Sequence, residues 1–337
     1  MSARRFAWWW LGGFSLLALV VMLLLTPWGG VVAAPPGLVQ AAFEPEQIRR
    51  GNAFAAELRP ANYASLALGL LASLWLGLSR RGLRLMRAVS AWLRRWPLQV
   101  VGVVAVFAVL TWLVTLPLAV WVEVVLRRWG LSTQDWGGWL LDEARGLGLT
   151  VVLTGVGLVL LVGLVRWLPR WWFVPASLGA GALVFVMSFV YPVVVEPVFN
   201  DFRPMAAGEL RSSLLELAEA DGVPADDVLV ADASRRTTTL NAYVSGFGQT
   251  RRIVVYDTML REPDEEVRAV VAHELGHADA NDVLVGSTIG AAGTAAAVAA
   301  LGLILPSGPL RRRGVHGAGD PVVAATVLAL ATALTAV

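Results

Sequence analysis

The amino-acid sequence predicts a mostly α-helical membrane protein, in which a bundle of about seven spanning helices carries one small α+β domain inserted between spans five and six. Two observations support this fold class. Hydrophobic residues make up 57% of the 337 residues and charged residues only 15%, which is typical of a polytopic membrane protein. Arginine-rich connections separate long apolar runs, and only one long stretch between them, 199–282, reads as a soluble domain.

Seven apolar runs are candidate spans, and most of them reach the roughly 20 residues that cross a bilayer core. The first run could instead be a secretory signal, because Val32-Ala33-Ala34 is similar to a cleavage site and Arg4-Arg5 to a twin-arginine motif. This run is longer than a usual signal core, so we interpret it as a retained span. The seven runs are residues 6–25, 64–78, 98 to about 125, 147–168, 171 to about 195, 283–305 and a run that starts near 321.

The connections between the runs suggest a lipid bilayer, and no nucleic acid, as the partner of the basic residues. All 27 basic residues are arginines that cluster beside apolar runs, which favours a role in membrane orientation. The connection 79–97 predicts an amphipathic helix at the membrane interface. The chain has no cysteine, which excludes disulfides and thiolate zinc sites.

The soluble stretch defines three predicted regions: a transmembrane region 1–198 with five spans, a domain 199–282, and spans six and seven in 283–337. Periodicity and β-branched runs predict the elements of the domain. These are a helix over 209–220, strands over 228–230, 241–244 and 253–256, and a turn at Gly246-Phe247-Gly248 between the last two strands.

The motif His273-Glu274-Leu275-Gly276-His277 uses two of the three histidines in the chain and follows an apolar-periodic helix start. Residues four apart lie on one face of a helix, so His273 and His277 can direct both imidazoles at one Zn²⁺. Glu274 lies beside them, where it can accept a proton from the attacking water. The alternative is a chance pentad of hydrogen-bonded histidines on a core helix. The helical context favours a zinc hydrolase site.

The chain resembles the integral-membrane zinc endopeptidases that process prenylated CAAX proteins, together with the related bacterial heat-shock membrane metalloproteases. The resemblance implies seven transmembrane helices around a chamber, with a thermolysin-like zinc site of the gluzincin type facing it. It is most specific in the soluble stretch. The residues that carry it are 43–46, 116–117, 129–132, 196–200, 234–236, 241–243, 246–248, 252–258 and 273–277.

The resemblance also implies that Asn241, Ala242 and Tyr243 lie on the strand along which a substrate peptide is laid. An extended peptide can pair with an exposed strand edge, which would fix the scissile bond against the metal. Asn241 could donate to the oxyanion or could simply enter a turn, and the two interpretations stay open. Four arginines, at 235, 236, 251 and 252, could hold a substrate carboxylate, although a solvated role is expected for most of them. Asp282 is a candidate for support of the zinc ligands.

The third zinc ligand departs from the family pattern. The family takes it from a Glu on a helix after the seventh span, and no Glu follows Glu274 in this sequence. We therefore expect the sequence to be C-terminally incomplete, with the third ligand beyond Val337. We also expect residues 1–337 alone to bind zinc weakly or not at all.

The arginine count and the family resemblance disagree about the side of the membrane on which the soluble domain lies. If the spans are counted as predicted, 13 arginines share one side of the membrane, against 6 in the two short connections 29–63 and 127–146 on the other side. The positive-inside rule then places the soluble domain outside the cytoplasm. The resemblance suggests a cytoplasmic domain and is followed here, because one miscounted span would reverse the argument.

The sequence thus predicts a multi-pass protein of the cell membrane. Its predicted activity is zinc-dependent hydrolysis of peptide bonds in membrane-associated or CAAX-like protein substrates. The alternative is a non-catalytic pseudo-protease scaffold or a transporter-like protein. Few charged residues lie deep in the spans, which argues against an ion pathway.

Overall fold

The computed structural model describes residues 2–26, 37, 43–223, 225–246 and 251–336. The possible cleavage segment Val32-Ala33-Ala34 and residues 247–248 of the predicted turn lie outside these residues. The helices in chain order are α1 (Ala3–Leu25), α2 (Pro45–Leu78), α3 (Arg80–Ala91), α4 (Trp96–Arg128), α5 (Trp136–Trp167), α6 (Phe173–Val190), α7 (Glu196–Phe199), α8 (Glu209–Ala220), α9 (Asp264–Asp279), α10 (Asp282–Ile304), α11 (Gly308–Arg312) and α12 (Val323–Thr335).

Five described helices are long and apolar enough to cross a membrane, namely α1, α2, α4, α5 and α10. Helices α6 and α12 are apolar but shorter. A π-helical turn, Tyr191–Val195, continues α6 into α7. Helix α3 is the amphipathic helix that the connection 79–97 predicts, with Leu83 and Met86 buried and the intervening arginines outside.

Two connections that the sequence predicts to be irregular are partly helical. Helix α2 begins at Pro45, well before the apolar run at 64, because the Glu44 N–H donates to the Gln47 side chain at 2.9 Å and a proline occupies the first turn. Helix α5 begins at Trp136, where the Asp135 side chain accepts the Gly138 N–H at 2.6 Å. Good caps at both positions extend the spanning helices beyond their apolar runs.

A close approach of two helices fixes α12 in the bundle. A Cβ atom at Gly77 would lie 2.2 Å from the Ala325 carbonyl oxygen, so only glycine allows α2 and α12 to cross there. The Thr326 hydroxyl donates to the Gly77 carbonyl at 2.9 Å across the same buried contact. Small residues therefore position a helix that is itself shorter than a typical span.

The inserted domain is built on a four-stranded sheet with the order β1-β2-β4-β3, of which β2 and β4 are parallel and the other pairs antiparallel. Three strands lie where the sequence predicts them, and β1 was not predicted because three residues are too few to show alternation. Strand β3 lies at one edge of the sheet. The strands are β1 (Phe202–Pro204), β2 (Asp227–Ala231), β3 (Ala242–Ser245) and β4 (Arg252–Tyr256).

The domain rests on the connection between α4 and α5. The Thr237 hydroxyl donates to the Leu131 carbonyl at 2.9 Å, and the Thr133 N–H donates to the Arg236 carbonyl at 3.1 Å. The Arg236 guanidinium lies 3.6 Å from the Asp142 carboxylate of α5. These contacts hold the domain at one end of the bundle, and helices α3 and α11 lie at the opposite end.

Candidate active site

Helix α9 carries the His-Glu motif, and local sequence explains its formation. Pro263 precedes the first turn, and the acidic residues 264–266 occupy it, where they interact favourably with the positive end of the helix dipole. Val267, Val271 and Leu275 are fully buried in the domain core. This buried face fixes the rotation of the helix, and it leaves the two histidines of the motif exposed and its glutamate half-buried.

The two histidines converge on one point. The Nε2 atoms of His273 and His277 are 3.3 Å apart, and the ring planes are nearly perpendicular. Two nitrogen ligands at about 2.0–2.1 Å from a tetrahedral Zn²⁺ are separated by about 3.3–3.4 Å. The separation of the two nitrogens therefore matches that of two ligands of one zinc ion.

Asp282 sets the orientation of one of these ligands. Its Oδ2 lies 2.7 Å from Nδ1 of His277, which holds the ring proton on Nδ1 and leaves the Nε2 lone pair for a metal. The same hydrogen bond holds the pKa of His277 above its usual value. Asn281 adopts a left-handed backbone conformation with φ of 56°, and this turn between α9 and α10 brings Asp282 back toward the histidine.

The third zinc ligand stays a prediction. Among the described residues, no group of three His, Cys, Asp or Glu side chains could together hold a metal ion. His316, the remaining histidine, lies at the opposite end of the bundle, where its N–H donates to Asp320 at 3.0 Å.

Glu274 and His277 line a small cavity of about 110 Å³ between α9, the end of β3 and the start of α10. Val244 and Gly246 of the β3 segment and Arg251 also line it. The Arg251 guanidinium donates to the Ala278 carbonyl at 3.2 Å, so it is held beside the motif helix. The structure thus brings the end of the edge strand and one arginine to the predicted catalytic glutamate.

The three residues predicted to hold a substrate peptide take different environments on β3. Asn241 is exposed and its carbonyl accepts the Tyr256 N–H at 3.0 Å, whereas Ala242 is buried. The Tyr243 side chain is half-buried, and its hydroxyl donates to Oε2 of Glu196 at 3.0 Å. None of the three lines the small cavity with Glu274.

A cluster of Glu196, Tyr243 and Arg252 connects β3 to the end of α6, and the sequence did not predict it. Arg252 donates to the Pro192 carbonyl in the π-helical turn at 2.8 Å and to the Ser245 hydroxyl at 3.2 Å. Burial raises the pKa of the Glu196 carboxyl above its usual value, although the Tyr243 hydroxyl and Arg252 oppose this, and burial also raises the pKa of Tyr243. Only the family resemblance, which covers residues 196–200 and 241–243, could have suggested the contact between Glu196 and Tyr243.

Two of the other arginines considered for substrate binding hold the domain to helix α7. Arg235 donates to the Phe199 carbonyl at 2.8 Å, and Arg236 donates to the Asn200 side chain. Both contacts hold segments of this chain together. Arg251 is the arginine of the four that lies beside the predicted catalytic glutamate.

Two models of known protein families match this chain. Residues 204–337 match the model of Peptidase family M48, and residues 60–201 match the model of the CAAX prenyl protease N-terminal region with five membrane helices. The two matches are almost contiguous. The C-terminal part of the chain is therefore similar to Peptidase family M48, and the membrane part before it is similar to the CAAX prenyl protease N-terminal region.

Similar proteins include metalloproteases from distant organisms. This chain is 35% identical over 191 residues to an uncharacterized metalloprotease, YhfN, of Bacillus subtilis, and the match covers 56% of this chain and 45% of that protein. It is 33% identical over 180 residues to CAAX prenyl protease 1 of Saccharomyces cerevisiae, with 52% and 39% covered. The Arabidopsis thaliana CAAX prenyl protease 1 homolog is 32% identical over 174 residues, with 50% and 41% covered. The chain thus spans less than half the length of these curated relatives.

The fold agrees with a solved structure. The crystal structure of S. mikatae Ste24p superposes with a TM-score of 0.77 at 20% sequence identity, covering 99% of this chain and 81% of that chain. The predicted fold class, a membrane helix bundle with a small inserted α+β domain, is confirmed, and so is the family resemblance.

Proposed function

We propose that this chain is a membrane-embedded zinc-dependent endopeptidase of the HExxH gluzincin type. The observation that carries the proposal is the proximity of two imidazole nitrogens, 3.3 Å apart, on the helix that also presents Glu274. The match of residues 204–337 to a peptidase family model and the similarity to a metalloprotease support it. Neither the family model nor the similar metalloproteases favour a pseudo-protease scaffold or a transporter.

In this proposal His273 and His277 would hold Zn²⁺ through Nε2, and a glutamate would supply the third ligand. Bound zinc supplies a Lewis acid that polarises the scissile carbonyl and makes a water molecule easier to deprotonate near neutral pH. Asp282 keeps His277 in the required tautomer through the 2.7 Å contact with Nδ1.

Glu274 is the general base. Its side chain is half-buried and faces the small cavity beside His277, so it can reach a water molecule that attacks a carbonyl held there. The carboxylate accepts the proton of that water and then passes it to the leaving amine. A glutamine at 274 keeps the shape but cannot accept a proton.

The substrate peptide pairs with strand β3 in this proposal. The carbonyl of Asn241 points toward β4, because it accepts the Tyr256 N–H. Backbone groups alternate in direction along an antiparallel pair, so the N–H and C=O of Ala242 and Val244 point to the open edge, where an extended peptide can add. In this proposal the exposed Asn241 side chain would donate to the oxyanion, and Tyr243 would contribute by holding the strand in position.

Substrates are proposed to be proteins at the membrane, with membrane-associated or CAAX-like segments as the specific class. The names of the CAAX prenyl protease relatives and the position of the domain at one end of a membrane bundle support this choice. The proposed location is the cell membrane. The proposed regions remain 1–198 and 283–337 for the membrane and 199–282 for the peptidase domain.

The deciding experiment compares the full-length gene product with Glu274→Gln and the control Glu265→Gln, which changes an exposed acid in the first turn of α9. Each protein is purified in detergent and assayed for bound zinc and for cleavage of a quenched peptide, with and without chelator. We expect Glu274→Gln to retain zinc and lose about 10²–10⁴-fold in rate, while Glu265→Gln behaves as wild type. Absence of zinc from the wild type, or cleavage indifferent to Glu274, would exclude the mechanism.

A further inference from the structure

One end of the helix bundle concentrates positive charge that has almost no acidic counterpart in the chain. We call it the arginine end, and it comprises the start of α1, helix α3, the α3–α4 and α5–α6 connections, and the segment from the end of α10 to the start of α12. It contains one acidic residue, Asp320. Its arginines are Arg4, Arg5, Arg80, Arg81, Arg84, Arg87, Arg94, Arg95, Arg166, Arg170, Arg311, Arg312 and Arg313.

Asp320 is already engaged. Its Oδ2 accepts from Arg87 at 2.8 Å and from the His316 N–H at 3.0 Å, and its Oδ1 accepts the Val322 N–H at 3.1 Å. Within the described parts of the chain, the other arginines of this end have no acidic side chain within ion-pair distance. Their counter-charge must therefore come from outside the protein.

Exposed tryptophans place this end at the depth of the lipid headgroups. Trp9, Trp92 and Trp167 are 75%, 86% and 77% exposed, and each lies near an arginine of this end in the sequence. Tryptophan prefers the boundary between headgroups and hydrocarbon. The arginines beside these rings are then level with lipid phosphates.

A cavity of about 610 Å³ opens among the helices at this end. Arg4 of α1 and Arg170 of the α5–α6 connection line it, and both are exposed. Its apolar wall includes Trp172 and Phe173, which are almost fully buried. The end of α10 and the connection to α11 also line it, through residues 302–303 and 306–309. The volume lies within the usual range for a small-molecule site, about 300–1,000 Å³.

We propose that this cavity binds the phosphate group of an anionic phospholipid between Arg4 and Arg170. Arginine guanidinium groups form paired, charge-assisted hydrogen bonds with phosphate oxygens, and basic pockets between spanning helices are suited to anionic headgroups. The apolar wall includes the starts of α1 and α6 and the end of α10, so the acyl chains can stay in hydrocarbon beside the bundle. The inference does not depend on the proposed peptidase activity.

The test measures thermal stability of the full chain in nanodiscs of phosphatidylcholine, with or without phosphatidylglycerol. A third arm adds inorganic phosphate to phosphatidylcholine nanodiscs, which separates a lipid headgroup from a free anion. We expect phosphatidylglycerol to raise the Tm and inorganic phosphate to leave it unchanged. An equal rise with inorganic phosphate would overturn the assignment to lipid.

Two charge-matched double variants locate the effect. Arg4→Gln/Arg170→Gln removes both cavity arginines, and Arg81→Gln/Arg84→Gln removes two exposed arginines of helix α3 outside the cavity. We expect the first variant to lose the phosphatidylglycerol-dependent rise in Tm and the second variant to keep it. If both double variants lose this rise in Tm equally, the lipid responds to the overall charge of the arginine end and no specific site exists.

A second measurement covers the case in which the glutamine variant does not fold. Arg4→Lys/Arg170→Lys keeps the charge but lacks the planar guanidinium, and native mass spectrometry can count the lipid molecules that survive detergent removal. We expect the wild type to retain phosphatidylglycerol over phosphatidylcholine, and the lysine variant to retain several-fold less. Equal retention by both proteins would overturn the proposal.

Discussion

The two ends of the bundle use charge in opposite ways. The arginine end has 13 arginines and a single acidic residue, while the remainder of the chain has 14 arginines and 24 acidic residues. At the domain end the charged groups are paired with one another. Arg127 lies 2.7 Å from Glu123, Arg128 lies 2.8 Å from Glu57, and Arg236 contacts Asp142.

This difference shows where each set of charges acts. Ion pairs at the domain end position parts of the protein relative to one another, because the guanidinium groups of Arg127, Arg128 and Arg236 have internal partners. Unpaired arginines contribute little to internal packing and instead respond to the membrane, through its anionic lipids and its orientation rule. The net charge of +2 hides this separation, because the excess positive and negative charges lie at opposite ends.

The largest expected effect concerns the side of the membrane that each end of the bundle faces. The family resemblance suggests a cytoplasmic domain, and a miscounted span could have reconciled it with the arginines. The structure places the arginine end opposite the domain whatever the number of spans, so the positive-inside rule predicts the reverse of the resemblance: a cytoplasmic arginine end and a domain on the other side. The chain has no cysteine, so Ala88→Cys on α3 and Ala207→Cys in the domain, both at exposed positions, are each the single thiol in their variant. We expect an impermeant thiol reagent to label residue 207 and not residue 88 in intact cells.

Permeabilised cells provide the control for that measurement, since both positions should then be labelled. Labelling of residue 88 alone in intact cells would reverse the orientation. It would support the cytoplasmic domain that the family resemblance suggests, and it would show that arginine content alone does not orient this protein.

The next effect concerns the contact that orients His277. Asp282→Asn keeps the size of the side chain but weakens the hydrogen bond to Nδ1, so we expect zinc affinity to fall about 10–100-fold. Asp279→Asn, at an exposed position two residues after His277, is the matched control. Zinc content after dialysis against graded chelator measures both. An equal effect of the two substitutions would show that general charge, and not the contact, is responsible.

A smaller effect tests the cluster that joins β3 to the end of α6. Tyr243→Phe removes the hydroxyl that donates to the half-buried Glu196, and we expect a loss of about 1–3 kcal/mol in stability. If the cluster positions the proposed peptide-binding strand, KM for a peptide rises more than kcat falls. Tyr256→Phe is the control, because its ring packs against Tyr243 but its hydroxyl makes no hydrogen bond within the described part of the chain.

A double variant separates this interaction from general damage. Glu196→Gln and Tyr243→Phe should be less than additive when combined, since either one breaks the same contact. Additive losses in Tm would mean that the two side chains act independently and that the cluster does not hold the strand.

The smallest effect is a pH dependence at the start of β2. The hydrogen bond from Arg211 holds the pKa of Asp227 below its usual value, so the folded state binds this proton less readily than the unfolded chain. Its stabilising contribution is therefore present above the ordinary pKa and is lost as the pH falls through the lowered one. For a pair that is about one-third exposed, we expect ~0.5 kcal/mol.

Thermal unfolding of Arg211→Gln at neutral and acid pH measures this contribution. The variant should have a slightly lower Tm than wild type at neutral pH, and the difference should shrink as the pH falls below the usual range of an aspartate. Arg261→Gln, at an exposed position, serves as control. A Tm difference that is independent of pH would assign the effect to lost packing.

The sequence by itself determined the features that depend on local pattern. Hydropathy predicted the membrane helices, four-residue spacing predicted that His273 and His277 share a face, and apolar runs predicted three of the four strands. These features follow from periodicity along one segment, which any single sequence displays.

Only the tertiary structure decided what depends on segments that are distant in the chain. It placed β3 at the sheet edge, and it joined Tyr243 to Glu196 across 47 positions of sequence. It turned Asp282 toward His277 through the left-handed Asn281, and it gathered Arg4 and Arg170 around one cavity. Such contacts depend on how the helices and the sheet pack, and no periodicity within one segment encodes that packing.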